Sequence, residues 1–140
     1  MDLNCEGKKL NNKPGVINIH RETSLNNFFR KEIWTGEYLQ VTVMSIPAGG
    51  EIGLVLHENI DQFIRIESGV ASVYMGNTKQ DVKLIANVNS DYAILVPAGT
   101  WHNVINNGRY PLKVYSIYAP PKHPVGTIHK TKFEADLAED

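Results

Sequence analysis

Only one of the 140 residues is cysteine, Cys5, so no disulfide can close within the chain and no cysteine-rich zinc site can be built. Nothing near Cys5 would lower its pKa, and it is read as an incidental thiol. Long apolar runs are missing as well. No stretch approaches the about 18 apolar residues of a membrane-spanning helix, and the opening MDLNCEGKK has no apolar signal core. Charge of one sign is not in excess either: 14 Lys+Arg face 15 Asp+Glu, a formal charge of −1. That balance leaves no electrostatic footprint for nucleic acid or anionic lipid, so neither nucleic acid nor a membrane is expected as a partner. A cytoplasmic setting and a small neutral or metal-bound ligand are the expectations.

What is present suits an ordinary globular fold. Hydrophobic residues make up 42% and charged residues 21%, which allows a real core in one domain over 1–140. Residues 1–37 are expected to form an N-terminal arm, 38–118 the core, and 119–140 a proline-rich tail. Within the arm, Val16-Ile17-Asn18-Ile19 suggests a short strand, and Thr23 or Ser24 a cap for a helical turn carrying Leu25, Phe28 and Phe29 that ends before Thr35-Gly36. From Tyr38 the pattern turns to β-branched alternation. It predicts strands at Leu39–Ile46, Ile52–Leu56, Phe63–Ile66, Val70–Met75, Val82–Asn87, Ala93–Val96, His102–Ile105 and Leu112–Tyr118, separated by Gly, Pro and Asn turn signals. Short strands at this spacing with no helix between them describe an all-β sandwich or barrel. Pro120, Pro121 and Pro124 bar a central strand in the tail, which has room for a short helix at Glu134–Glu139.

The chemistry gathers in two stretches, Gly49–Gly69 and Asp91–Asn106. His57 shares a strand face with Val55, and a hairpin-like turn through Glu58–Asp61 would return Gln62 to its side. The turn Pro97-Ala98-Gly99-Thr100 can pitch His102 into the same space. Two imidazoles and an amide oxygen make a corner for zinc, iron, nickel or copper, and the oxygen extends the choice to manganese. A carboxylate to complete it is hard to name. Glu51 has the right parity but sits roughly 20 Å back along a strand, Glu58 and Glu67 have the wrong parity, and His123 and His129 in the tail are the remaining candidates. Lys130 and Lys132 can meet an anionic substrate or simply be solvated. Trp34 and Trp101 read as packing, with Trp101 facing away from the site. Asp61 and Arg65 read as an outer-face ion pair or dimer contact, and His20 has no partner in sequence.

The two stretches resemble the motifs of the cupin superfamily. Its first motif runs G, five residues, H-x-H, three or four residues, E, six residues, G; here Gly49, Val55-x-His57, Gln62 and Gly69 fall on those places. Its second runs G, five residues, P-x-G, two residues, H, three residues, N; here Asp91, Pro97-x-Gly99, His102 and Asn106 fall on them. IGLVLHENIDQFIRIESG, PAGTWHNVIN and IYAPPKHPVGTIHKTK also look like a group of small single-domain bacterial cupins. The resemblance spans roughly 34–132 and implies a cupin-type jelly-roll barrel. It implies a divalent metal ion held by His57, Gln62 and His102, with Val55 and Gln62 standing where the family has a histidine and a carboxylate. No residue is assigned to an organic cofactor.

Two functions follow from this reading, with a structural or storage role, supported by the fold alone, as a third. One is a metal-dependent enzyme of isomerase, lyase or dioxygenase type on a small polar substrate, without a nameable general base. The other is a non-catalytic module that binds a small, sugar-like molecule, which the loss of the ligand at Val55 favours. Cupins commonly pair through their sheets, and the exposed strand edges argue for a homodimer.

Overall fold

The computed structural model describes residues 12–138, so Cys5 lies outside the described residues. Ten strands form two antiparallel sheets. The strands are β1 Arg30–Thr35, β2 Gln40–Ile46, β3 Val55–Leu56, β4 Asp61–Ser68, β5 Ala71–Gly76, β6 Lys83–Val88, β7 Ala93–Val96, β8 Trp101–Ile105, β9 Leu112–Ala119 and β10 Ile128–His129. Six make one sheet in the order β10-β1-β2-β9-β4-β7, and four make the other, β3-β8-β5-β6. This is the cupin-type jelly roll. Two helices, α1 Ile19–Leu25 and α2 Lys132–Ala138, lie outside the sheets.

Inward residues on the large sheet change character from one end to the other. Ile46 is opposite Leu112, and Met44, Val114 and Ile66 form the next row. Thr42, Ser116 and Ile64 follow, then Gln40, Tyr118 and Gln62. All of them are buried, from 0 to 5% exposed. The apolar rows meet Ala71, Val73, Val88 and Val104 of the small sheet in one core. Each such aliphatic side chain contributes about 1.5–3 kcal/mol by leaving water. The polar rows cannot close the barrel in that way, and so that end holds a cavity.

Glycines of the two motifs occupy backbone that other residues rarely adopt. Gly69 has φ +103°, and a Cβ there would stand 3.0 Å from Leu112 Cα. Gly99, at φ +83°, donates its N–H to the His57 carbonyl at 2.8 Å and so ties the two motifs together. Asp91, where the family has glycine, keeps the same left-handed conformation at φ 75° and accepts from Arg65 at 2.7 Å. Asn106 is fully buried. It donates to the Ile46 and Tyr110 carbonyls and accepts from Gly108 N–H, each at 2.9 Å, fixing the turn after β8.

Several local expectations are corrected. Val16–Ile19 is not a strand: Asn18 caps α1 by accepting from Arg21 N–H at 3.0 Å, so a capping side chain outweighs β-branched propensity. The expected helical turn over Leu25, Phe28 and Phe29 is absent, because α1 stops at Leu25 and Phe29 enters the core from a bend just before β1. Thr23 caps nothing; it is buried and bonds the Ile19 carbonyl from within the helix. The large sheet also takes in β1 and β10, from the segments assigned to the arm and the tail. Between Ile52 and Leu56 only Val55–Leu56 pair as a strand. In the tail the helix runs Lys132–Ala138, started by Thr131 Oγ1 accepting from Glu134 N–H.

Candidate functional site

The cavity at the polar end has a volume of about 380 Å³ and is lined by residues of both sheets and the tail. His102, on β8, is 2% exposed. Its Nδ1 lies 2.9 Å from the Thr100 carbonyl, which can only accept, so Nδ1 carries the proton and donates. Burial lowers the His102 pKa, outweighing the hydrogen bond to Thr100, and the ring is held neutral with a lone pair on Nε2. That lone pair faces Gln62 Oε1 at 3.2 Å. Two acceptors at this distance satisfy each other only if the amide turns its NH2 inward or a cation sits against both.

His57 follows β3, at the edge of the small sheet, and its ring centroid is 5.4 Å from that of His102. Two imidazoles bound to one ion through ring nitrogens at about 2.0–2.1 Å have centroids roughly 4.5–5.5 Å apart, so the separation fits a shared cation. The His57 pKa falls to about 4, first through burial, then through electrostatic coupling to the His102 ring and the positive charges of Lys122 and Arg30. Gln62 does not come back beside His57 through a hairpin, as the spacing suggested. The chain passes from β3 in the small sheet to β4 in the large one, and His57 and Gln62 meet across the barrel. The convergence of His57, Gln62 and His102 is as expected; the route is not.

Val55 also lines the cavity, opposite His102 in the β3–β8 register, with no atom to offer a metal. Glu51 was expected far along a strand. It instead lines the cavity rim, because Gly50–Leu54 is not regular strand, and its carboxylate accepts from Asn103 Nδ2 at 2.7 Å. His123 reaches the cavity too, while His129 pairs with Arg30 instead. Among the described residues no three of His, Cys, Asp and Glu come together as a group fit to hold a metal. What the cavity brings together at this point is two imidazoles and an amide, those of His57, His102 and Gln62.

Three cavity residues carry no motif spacing and escaped the sequence reading. Tyr118, on β9, packs edge-on against His57 at 5.9 Å and against His123 at 5.2 Å between centroids. Burial raises its pKa against the opposing influence of Arg30, Thr42 and Ser116, so the phenol stays protonated. The signal for it was the inward parity Leu112, Val114, Ser116, Tyr118. Arg30, at the start of β1, and Lys122, in the tail, complete that side of the wall. Lys132, near Gly53, also lines the cavity and is paired with Asp136. Trp101 points outward as expected, under Lys79 at 5.8 Å.

Two outer-surface expectations change. Arg65 pairs with Asp91, and Asp61 instead accepts from Ala98 N–H at 2.9 Å, holding the Pro97–Thr100 turn. His20 does have a partner, the carboxylate of Glu67.

The tail is held over the cavity by two buried side chains. Gln40, fully buried, accepts from the Lys122 and His123 amides at 3.1 and 2.9 Å and donates to the His123 carbonyl at 2.7 Å. Glu32, 2% exposed, accepts from Gly126 N–H at 3.0 Å and Thr35 Oγ1 at 2.8 Å. No helix among the described residues is long and apolar enough to cross a membrane.

Comparison with known proteins agrees with this architecture. The model of the cupin domain family matches residues 42–118. The uncharacterized protein YrkC of Bacillus subtilis (strain 168) is 55% identical over 139 residues, covering 99% of this chain and 75% of its own. Protein L612 of Acanthamoeba polyphaga mimivirus is 38% identical over 118 residues, covering 84% of this chain and 72% of its own. The crystal structure of BH2720 from Bacillus halodurans superposes with a TM-score of 0.89 at 54% identity, over 90% of this chain and 96% of that one.

Proposed function

The chain belongs to the cupin domain family, and on that premise we propose that it binds a divalent metal ion through His57, Gln62 and His102 in a cavity for a small polar molecule. The observation that carries this reading is the pair of opposed acceptors, His102 Nε2 and Gln62 Oε1, with the His57 ring within reach of the same point. Thr100 fixes the tautomer that a ligating His102 needs. Zinc, iron, manganese and nickel all accept this donor set.

A bound divalent ion supplies Lewis acidity, polarising a carbonyl or hydroxyl of the ligand placed beside it. The protein's own residues do the rest. Val55 leaves one side open for the ligand, Tyr118 offers a protonated hydroxyl beside the cavity, and the strap at Lys122–His123 covers the mouth. The neutral trio leaves the ion's charge uncompensated, which favours an open, ligand-accepting position over a tightly closed structural site.

Metal analysis of untagged protein purified without chelator tests the proposal. About one equivalent of a transition metal is expected, with His57→Ala losing most of it. Substoichiometric metal that His57→Ala leaves unchanged would favour the second reading, a non-catalytic binding module. That reading is supported by Val55 and by the lack of a carboxylate among the donors.

A homodimer is the proposed assembly. Val41, Ile117, Phe63 and Leu95 are neighbours in register across four strands and form one apolar row on the outer face of the large sheet. Leu95 is 65% exposed there. Light scattering is expected to give about twice the 15.7 kDa chain mass, and Phe63→Glu to give the monomer because a charge cannot be buried unpaired in such a face. A monomeric wild-type protein would rule this out.

A further inference from the structure

One wall of the cavity carries cationic groups that the metal reading leaves unused. Arg30 lines the cavity and is only 7% exposed. Its Nη1 meets His129 Nδ1 at 3.2 Å, and its guanidinium carbon lies 5.3 Å from the centroid of the Phe29 ring. Its Nε is buried without a hydrogen-bond partner. Among the described residues no carboxylate lies within ion-pair distance of it. Burying a guanidinium without a counter-ion is costly, and the cost is ordinarily offset by an anion.

Lys122 on the cavity lining carries the same sign, whereas His123, its pKa lowered to about 3 chiefly by burial, is neutral. Lys122 stands exposed at the rim, and His123 Nε2, on the same wall, is buried without a partner. The carboxylates on the cavity wall do not answer them. Glu51 is engaged by Asn103, and Asp136 by Lys132 Nζ at 2.9 and 3.0 Å.

We propose that Arg30, with Lys122 at the rim and His123 beside it, forms an anion subsite that holds the carboxylate of a small organic acid. The proposal rests on the reading of this cavity as a small-molecule site and names the class of molecule. A planar guanidinium matches a planar carboxylate. The cavity volume of about 380 Å³ limits the rest of the molecule to a few heavy atoms reaching toward His57, Gln62 and His102. The subsite departs from the neutral or sugar-like ligand expected from the net charge of −1, because a balanced total hides a local excess.

Calorimetric titration of chelator-stripped protein with malonate and with neutral malonamide tests it, with metal content measured separately on unstripped samples. Malonate is expected to bind at least about tenfold more tightly than malonamide, with the preference weakening as salt rises. Arg30→Gln is expected to erase the preference while leaving metal content at the wild-type level. Lys122→Ala, at an exposed position, is expected to reduce it by about threefold, and decides the matter should Arg30→Gln not fold. Equal binding of the two probes, or a preference unchanged in the variant that folds, overturns the subsite. Inorganic phosphate displacing malonate with higher affinity overturns its assignment to a carboxylate. Metal without a carboxylate preference would refute this subsite alone, and the preference without metal would refute the metal reading alone.

Discussion

Gln62→Glu is expected to tighten divalent-cation binding by roughly ten- to a hundredfold, or about 1.4–2.7 kcal/mol. The side chain already places an oxygen 3.2 Å from His102 Nε2, so the substitution changes charge and hardly changes shape. The two imidazoles are neutral, and the cavity wall brings Arg30 and Lys122 near them. A carboxylate would supply the negative charge that this surrounding lacks. The stripped protein should suffer in exchange. A buried carboxylate in place of an amide at a position 5% exposed is expected to lower its stability by about 1–3 kcal/mol, offset in part by His102. Competition against a chromogenic chelator gives the affinity, and thermal melts with and without metal give the stability. If affinity stays at the wild-type value, the position 62 side chain is not a ligand.

Gln40→Ala is expected to cost about 2–4 kcal/mol and to free the strap from the mouth. Four hydrogen bonds end on this one fully buried amide: one to Thr35 Oγ1, two from the amides of Lys122 and His123, and one to the His123 carbonyl. No other side chain holds that turn so completely, and truncation leaves backbone groups to find water. A fall in Tm of roughly 10 °C is expected for a chain of this size. Trypsin is then expected to cut after Lys122, where the wild-type protein is expected to resist it. A melt shifted by only a few degrees with an intact strap would mean that the segment is held chiefly by Glu32 and β10.

The barrel was legible in the chain because a period of two is hard to mistake when one face is buried. Ala93–Val96 emerged with its expected ends, and Leu112–Ala119 within a residue. The convergence of His57, Gln62 and His102 was legible for a different reason: motif spacing encodes turns, and turns aim side chains. Arg30 and His123 had no such encoding. Arg30 opens a strand in a stretch whose Leu25, Phe28 and Phe29 mimic a helical face, and His123 is positioned by Gln40, eighty-three residues away in sequence. The direction of the Glu58–Asp61 link was misread because a short connection between strands suits a hairpin and a sheet-to-sheet crossing equally well. Only the pairing of β3 with β8 separates the two.

His102 and Gln62 belong to different sheets, so the gap between them is not set by either strand alone. It is set by how far apart the layers rest, and that distance is fixed where Ile64, Ile66, Val114 and Val104 fill the closed end. The packed end is to the donors what the pivot is to a pair of calipers. A methylene gained or lost there alters the opening at the tips, so affinity in this protein can drift through residues that never touch what is bound.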